Sequence, residues 1–376
     1  MPDMASGREV SIPWSEMARF FVPPEEYQGK LGGYRSLMKF DDGTMVKSRQ
    51  DWSRRREEIR AYWHRVMGQW PALIERPRLK FLGKEHAENF TRHRVQAEFA
   101  PERFAGTQYL LVPDGRGPFP AVLVTWYGSE DSAGLTEKAR GTVDFGYRLA
   151  KCGFVALCIG GVGQENLRPS DGRNGIQPLS YLAYAAANCC NALAALPEVD
   201  PRRIGVVGHS FGGKWAMFAS CLYDRFACAV WSDPGIVWNE RDANANYWER
   251  WYLGYQFDRP ADGQRQPGIP NEGHPRTGAY ATLVAEGHDL HELHALMAPR
   301  PFLVSGGAQD RPEHWTALNH TIALNEFLGH PGRVAMTMRD GHTPTAESNA
   351  QACTFLEHFL KESDSQGAPR SGEDDP

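Results

Sequence analysis

Residues 203–222 read RIGVVGHSFGGKWAMFASCL, and this stretch decides the fold. Its first part, residues 203–207, is a short apolar run of the kind that forms a buried strand. Its last part, from Lys214 onward, is apolar on nearly all sides, which is typical of a helix inside a protein. Between the two stands Ser210 in a Gly-x-Ser-x-Gly pattern. The stretch therefore predicts a strand, a sharp turn that carries a serine, and a buried helix.

A serine in this context is a nucleophile elbow. The turn from strand to helix holds the serine in a strained conformation, and small flanking residues let neighbouring backbone approach. The first turn of the helix supplies backbone N–H groups and the positive end of a dipole. We therefore expect Ser210 to be a nucleophile above the carboxyl edge of a sheet, rather than part of a plain turn.

A nucleophilic serine of this type needs an acid and a histidine later in the chain, in that order. Asp310 follows the predicted strand PFLVSGG, and His342 follows the predicted strand RVAMTM. We expect His342 to be the base and Asp310 to hold its tautomer. Asp233, in AVWSDPG, also follows a strand directly and is the alternative acid.

An oxyanion hole needs two backbone donors. One should be the N–H of Phe211, the residue after the nucleophile, and the other should come from the loop after AVLVTWY. That loop reads WYGSED, so the second donor is Tyr127 or Gly128.

From about residue 94 onward, short apolar strands alternate with helical stretches. This alternation predicts an α/β protein with a doubly wound, mainly parallel sheet. The first two strands, RVQAEF and TQYLLV, fit an antiparallel edge of that sheet.

The chain divides into parts of different character. Residues 1–93 are predicted to be an N-terminal helical extension packed on the core, with an amphipathic helix in DWSRRREEIRAYWHRVMGQW whose arginines form a solvated face. Residues 94–362 are the catalytic domain. Within it, residues 236–290 form an aromatic-rich, cap-like insertion. Residues 363–376 are predicted to be a disordered tail.

Composition excludes several classes of function. The net charge of −5 and the pI near 6.2 give no basic footprint for nucleic acid and no polybasic membrane anchor. No apolar run is long enough to span a membrane, and no signal peptide is visible, so we expect a cytoplasmic protein unless a leader has been removed. The seven cysteines fit buried thiols, and the histidines of EGHDLHELH lack a carboxylate pattern for a metal. We expect no metal and no cofactor, and leave the oligomeric state open.

The segments DPRRIGVVGHSFGGKWA and LMAPRPFLVSGGAQD resemble the α/β-hydrolases, in the branch that holds dienelactone hydrolases, prolyl-oligopeptidase-type domains, acetylxylan esterases and glucuronoyl esterases. The resemblance covers about residues 95–362. Glucuronoyl esterases have an elbow Gly-Cys-Ser-Arg with a lysine four places after the serine. Here Lys214 matches that lysine, while Phe211 replaces the arginine. Their glutamate after the next strand corresponds to Asp233.

The resemblance implies the α/β-hydrolase fold and a serine esterase that cleaves a small or carbohydrate-linked carboxylic ester. The candidate substrate contacts are Lys214, Trp126, Trp248 and Trp251, where Lys214 is equally well explained as a side chain that reaches solvent. Two alternatives stay open: a peptidase or aminopeptidase of prolyl-oligopeptidase type, and a non-catalytic binding protein on the same fold.

Overall fold

The computed structural model describes residues 12–161, 175–260, 263–264 and 268–361. In this part of the chain, ten strands form one sheet in the order β1-β2-β4-β6-β5-β7-β8-β9-β10, with β3 paired to β2. The strands are β1 (Leu79–Ala87), β2 (Phe90–Ala100), β3 (Arg103–Phe104), β4 (Gln108–Pro113), β5 (Phe119–Thr125), β6 (Val155–Ile159), β7 (Val199–His209), β8 (Cys228–Ser232), β9 (Phe302–Gly306) and β10 (Val334–Met338).

The helices cover both faces of the sheet. They are α1 (Trp14–Met17), α2 (Arg49–Met67), α3 (Ser129–Ser132), α4 (Phe145–Lys151), α5 (Pro178–Ala194), α6 (Phe211–Leu222), α7 (Gly278–Ala285), α8 (His291–Ala295), α9 (Trp315–Phe327) and α10 (Ala346–Lys361). The apolar side chains of α5 and α6 pack in one core cluster, and those of α4 and α10 pack in a second cluster on the opposite face. Among the described helices, none is long and apolar enough to cross a membrane.

The sheet is antiparallel at one edge and parallel elsewhere. β1, β2, β4 and β6 pair antiparallel, whereas the pairs from β6 through β5, β7, β8 and β9 to β10 are parallel. Strands β6, β8 and β9 are buried along their whole length, as expected when helices cover both faces. The predicted doubly wound, mainly parallel sheet is confirmed. Its parallel arrangement brings the carboxyl ends of β7, β8, β9 and β10 to one edge.

The N-terminal part contains more than a helix. The predicted amphipathic helix is α2, which starts at the N-cap Ser48 and buries Trp52, Ile59 and Trp63. β1 and the first residues of β2 also precede residue 94, because they form a hairpin on the antiparallel edge of the sheet. The predicted border at residue 93 therefore lies inside β2. The predicted tail at 363–376 lies outside the described residues.

The predicted solvated face of α2 holds for only part of its arginines: Arg49, Arg54 and Arg65 are exposed, whereas the other three bind carboxylates. Arg55 is buried against Asp41 and Glu58. Arg56 and Arg60 bind the carboxylate of Asp224, which follows α6, at 2.5 and 2.7 Å. These ion pairs attach α2 to the catalytic part of the chain.

The ion pairs with Asp224 predict a measurable contribution to stability. Burial raises the pKa of Asp224, but the hydrogen bond from Arg56 and the charges of Arg300 and Arg60 outweigh it and lower the pKa to about 2. Its side chain is 47% exposed, so solvent screens part of the interaction. We expect Asp224→Asn to lower the free energy of unfolding by about 1 kcal/mol at pH 7, measured by urea denaturation.

The control is Glu57→Gln, because Glu57 contacts the same arginines from a more exposed position, at 3.1 and 3.7 Å. We expect it to cost less than about 0.5 kcal/mol. Since the pKa of Asp224 is lower in the folded state, its contribution is present above about pH 4 and is lost as the pH falls toward 2. Equal losses in both variants would contradict the role of Asp224.

Candidate active site

Ser210 stands at the turn between β7 and α6. Its backbone has φ 54° and ψ −114°, outside the regions that side-chain-bearing residues prefer. Its N–H donates to Ser232 O at 2.8 Å, which ties the turn to the end of β8. A Cβ atom on Gly212 would lie 2.0 Å from Thr125 O, and one on Gly208 would lie 2.1 Å from Gly212 O. Glycine is therefore required on both sides of the serine.

The Ser210 hydroxyl begins a chain of two short hydrogen bonds. His342 lies on the loop after β10, and its Nε2 is 2.8 Å from Ser210 Oγ. The other ring nitrogen, Nδ1, is 2.6 Å from Asp233 Oδ2. An ionised carboxylate only accepts, so Nδ1 carries the proton and Nε2 is the acceptor for the hydroxyl. The arrangement can move a proton from Ser210 to His342 while Asp233 stabilises the imidazolium.

The acid that contacts His342 is Asp233, and the expected pairing with Asp310 is corrected. The carboxylate of Asp310 accepts the backbone N–H groups of Gly235 and Ile236 at 3.0 and 2.6 Å and faces His314 Nδ1 at 3.4 Å. This carboxylate is fully buried, and these contacts use its oxygens. The physical reason is position: Asp233 follows β8, the strand beside β7, whereas Asp310 follows β9, one strand further away.

The two aspartates support each other. Asp233 has φ 50°, and its Oδ1 accepts the backbone N–H groups of Gln309 and Asp310 at 3.0 and 2.8 Å. A Cβ atom on Gly307 would lie 2.9 Å from Asp233 Oδ2, so glycine is needed where this loop passes the carboxylate. The main chain at Asp310 therefore orients Asp233, while the side chain of Asp310 fixes the two residues after Pro234.

Arg339 was missed in the sequence, although it is a charged residue at the end of a buried strand and three places before His342. Its buried guanidinium donates to the carbonyl of His342 at 2.6 Å and to that of Ser305 at 2.8 Å. It lies 3.9 Å from Asp233 Oδ2. Arg339 thus fixes the histidine loop and places a positive charge beside the acid.

His209 was also missed as a neighbour of the site. Its ring lies 4.6 Å from the His342 ring and stacks on Trp126 at 5.5 Å. Burial, followed by the positive charges of His342 and Arg339, holds the pKa of His209 well below its ordinary value. His209 is therefore neutral near pH 7 and adds no competing charge. Trp126 supports this ring and donates through Nε1 to Asp131 at 3.1 Å.

The predicted oxyanion donors lie on two elements, the first turn of α6 and the loop after β5. The N–H of Phe211 is in the first turn of α6 and finds no acceptor among the described residues. The ring of Phe211 stacks on Tyr127 at 4.5 Å, so the loop after β5 borders the elbow. Gly128 is the N-cap of α3 on the same loop. Phe211, Tyr127 and Gly128 thus stay together as candidates.

Two predicted substrate contacts are buried instead. Lys214 is 2% exposed, and its Nζ donates to the carbonyls of Pro234 and Asn244 at 2.5 and 3.2 Å. Its side chain does not reach solvent, which corrects one of the two expectations for this residue. Trp248 is buried and donates to Gly268 O at 2.7 Å. Trp251 is half-buried.

Two of the three histidines of EGHDLHELH are in hydrogen-bond contact with other groups of the protein. His288 Nδ1 is 2.6 Å from Glu292 Oε2, and His291 Nε2 is 2.9 Å from Arg35 O. His294 is buried beside Trp231. The described residues contain no group of three or more His, Cys, Asp and Glu placed to hold a metal ion.

The two aspartates should respond differently to amidation. Asp233→Asn puts an NH₂ or an uncharged oxygen against His342, so we expect labelling of Ser210 by a fluorophosphonate to slow by about 10³–10⁴-fold. Asp310→Asn keeps an acceptor for one backbone N–H group, so we expect labelling to slow by less than about 10²-fold and urea stability to fall by about 1–3 kcal/mol. A larger loss of labelling in Asp310→Asn than in Asp233→Asn would reverse the assignment.

Lys214 gives a pH-dependent prediction. Burial lowers the pKa of its ammonium to about 8, although the charges of Asp310 and Asp233 oppose the shift. Between pH 8 and about pH 10 the unfolded chain keeps this proton and the folded chain loses it, so rising pH favours the folded state. We expect the unfolding free energy of the wild type, relative to Lys214→Met, to increase by about 2 kcal/mol over this range. A pH-independent difference would contradict a buried ammonium.

Comparison with protein families and curated proteins gives one match. The model of the prolyl oligopeptidase family matches residues 184–364, a segment that includes Ser210, Asp233 and His342. The sequence matches none of the curated proteins.

Comparison with solved structures gives matches over most of the chain. A glucuronoyl esterase from Solibacter usitatus has a TM-score of 0.67 at 20% identity and covers 89% of this chain and 99% of its own. A carbohydrate esterase family 15 glucuronoyl esterase from Caldicellulosiruptor kristjansonii has a TM-score of 0.63 at 21% identity, with 90% and 93% covered. A promiscuous esterase of that family from a marine bacterial metagenome has a TM-score of 0.62 at 17% identity, with 87% and 97% covered. The chain therefore has the α/β-hydrolase fold.

Proposed function

We propose that this protein is a serine hydrolase that cleaves carboxylic esters through an acyl-enzyme. Ser210 is the nucleophile, His342 is the general base and Asp233 orients the histidine. The observation that carries the proposal is the pair of hydrogen bonds at the elbow, 2.8 Å from Ser210 Oγ to His342 Nε2 and 2.6 Å from His342 Nδ1 to Asp233 Oδ2.

Acylation begins when Ser210 Oγ attacks the ester carbonyl carbon. The hydroxyl proton moves to His342 Nε2, and Asp233 stabilises the imidazolium. The negative charge on the carbonyl oxygen is met by the N–H of Phe211 and by an N–H of the loop at Tyr127 and Gly128. The tetrahedral intermediate then expels the alcohol, which takes the proton from His342, and the acyl group stays on Ser210.

Deacylation repeats the same steps with water. His342 Nε2 takes a proton from water as the oxygen attacks the acyl carbonyl, and the same N–H groups stabilise the oxyanion. Collapse breaks the bond to Ser210 Oγ, which takes the proton back from His342. One ester and one water give one acid and one alcohol, and the free enzyme is restored.

The neighbouring structures favour an ester substrate. Proteins named as glucuronoyl esterases overlap most of this chain, and one of the similar structures is named as promiscuous. The resemblance links two positions to glucuronoyl esterases. At one of them Phe211 stands in place of the arginine, and at the other Lys214 keeps the lysine but is buried. The substrate we propose is a small or saccharide-linked ester, recognised without charge contacts from these two side chains.

A second candidate is a peptidase, because the matching family model is that of prolyl oligopeptidases. Ser210 would then attack an amide carbonyl, with His342 and Asp233 in the same roles. A panel of aminoacyl p-nitroanilides tests this alternative beside p-nitrophenyl acetate. Faster turnover of the anilides, compared as kcat/KM, would replace the esterase proposal by the peptidase.

The decisive variant is Ser210→Ala. It removes the atom that forms the acyl-enzyme, so we expect the turnover of p-nitrophenyl acetate to fall by at least about 10³-fold. A fluorophosphonate should label the wild type and not the variant. Thr142→Ala is the matched control, because it also removes one hydroxyl, and that hydroxyl donates to Ala139 O away from Ser210. Unchanged turnover in Ser210→Ala would refute the role of Ser210. A wild type that neither turns over the ester nor is labelled would favour a non-catalytic binding protein.

A further inference from the structure

Two aromatic side chains border the nucleophile on the side of β5. Phe211 follows Ser210 directly and is half-buried, and Tyr127 follows β5 and is 58% exposed. Their rings stack with centroids 4.5 Å apart and an angle of 22° between the planes. We call this pair of rings the aromatic wall. The chemical steps proposed above use only backbone N–H groups of this region, so they leave the two rings without a role.

Backbone contacts hold the aromatic wall in place. Tyr127 O accepts the N–H of Gly161 at 3.0 Å, beyond the end of β6. The hydroxyl of Thr125, at the end of β5, donates to Gly212 O in the first turn of α6 at 2.7 Å. These bonds fix the loop after β5 to its neighbours on both sides. A ligand that binds the aromatic wall therefore meets a preformed surface and pays little for ordering it.

The Phe211 ring has aromatic, uncharged neighbours. Besides Tyr127, it lies 6.0 Å from the ring of Trp215 and 6.2 Å from that of Tyr252, and both of these residues are buried. The hydroxyls of Tyr252 and Tyr127 share a hydrogen bond. A charged group placed against these rings would lose water and gain no opposite charge from them. The aromatic wall therefore favours an uncharged, apolar part of a substrate.

The order of the strands decides which part of the substrate meets the aromatic wall. Ser210 follows β7, which has β5 on one side and β8, β9 and β10 on the other. The leaving alcohol takes its proton from His342, on the loop after β10, and so departs on that side. The carbonyl oxygen is held by the N–H of Phe211. The acyl group is thereby left on the side of β5, against the aromatic wall.

A planar acyl group suits this surface better than a saturated one. More than half of the Tyr127 side chain is open, beside the residue whose N–H holds the carbonyl oxygen. Aromatic pairs gain about two- to tenfold in an equilibrium constant beyond the burial of their apolar surface, when they stack offset or meet edge to face. A saturated ring of the same size gains the burial alone.

We propose that the aromatic wall of Tyr127 and Phe211 binds the acyl part of the substrate, and that this part comes from an aromatic carboxylic acid, such as a benzoyl group. The inference rests on the proposed function and names the class of its acid product. The two rings determine specificity, whereas the backbone N–H groups of the same region act on the oxyanion. The alcohol part stays as proposed above.

The test compares p-nitrophenyl benzoate with p-nitrophenyl cyclohexanecarboxylate, which share a leaving group and carry acyl rings of the same size. The readout is the ratio of kcat/KM for the benzoate to kcat/KM for the cyclohexanecarboxylate, so a loss common to both esters cancels. We expect Tyr127→Leu to lower this ratio about threefold, and Tyr127→Leu with Phe211→Leu to lower it about tenfold. The single variant changes an exposed side chain, so it tests the aromatic wall even if the double variant does not fold.

Two controls separate the stacking from other effects. Tyr127→Phe keeps the ring without the hydroxyl, so we expect the ratio to change by less than about twofold. Phe81→Leu removes an exposed ring from β1, at the far edge of the sheet, and should leave the ratio unchanged. A ratio that Tyr127→Leu leaves unchanged, or that Phe81→Leu lowers as much, overturns the proposal.

A binding arm separates this inference from the proposed function. The Ser210→Ala variant, which cannot form the acyl-enzyme, is titrated by calorimetry with methyl benzoate and with methyl cyclohexanecarboxylate. Tighter binding of methyl benzoate, lost when Tyr127→Leu is added, supports the aromatic wall even if the wild type hydrolyses neither ester. Equal binding of the two esters, no binding of either, or a preference that Tyr127→Leu leaves in place overturns the inference even if the wild type is an esterase.

Discussion

The carboxylate of Asp233 is the point on which the site depends. One of its oxygens accepts two backbone N–H groups from the loop after β9, and the other accepts a hydrogen bond from His342 Nδ1. It therefore joins the ends of β8, β9 and β10 through three short bonds. The Ser210 turn is tied to the same place, because its N–H donates to Ser232 O. The geometry of the serine and the histidine follows from this single buried charge.

A buried carboxylate is costly unless it accepts hydrogen bonds. The two buried carboxylates here, those of Asp233 and Asp310, each accept hydrogen bonds from backbone N–H groups. Asp310 cannot orient His342, since its oxygens hold the N–H groups of Gly235 and Ile236. It instead fixes the backbone that follows Asp233, while its own N–H fixes Asp233 itself. Lys214 adds a third attachment through the carbonyls of Pro234 and Asn244. Groups that resemble catalytic or binding residues thus serve to position the acid.

The fold, Ser210 and His342 could be predicted from the sequence for a physical reason. Apolar strands in alternation with helices allow few arrangements, and the glycines around Ser210 require a tight turn, so the sheet and the elbow could be predicted. His342 followed from its order in the chain. The choice between Asp233 and Asp310 did not, because both follow a strand at the same edge. That choice depends on which strands are neighbours in the sheet and on the backbone conformation of Asp233, at φ 50°. Neither can be predicted from a single sequence.

Where a prediction from the sequence was wrong for a side chain, the surroundings of that side chain are set by contacts between distant parts of the chain. Whether Lys214 faces substrate or two carbonyls is set by the path of residues 234–244, and whether Arg56 faces water or Asp224 is set by how α2 docks. The acid itself depends less on side chains, because Asp233 Oδ1 is held by two main-chain N–H groups of the loop after β9. The backbone that leads from Asp233 into residues 237–243 is held in turn by the carboxylate of Asp310, through the N–H groups of Gly235 and Ile236. The position of the acid is therefore set by contacts between loops that lie far apart in the sequence.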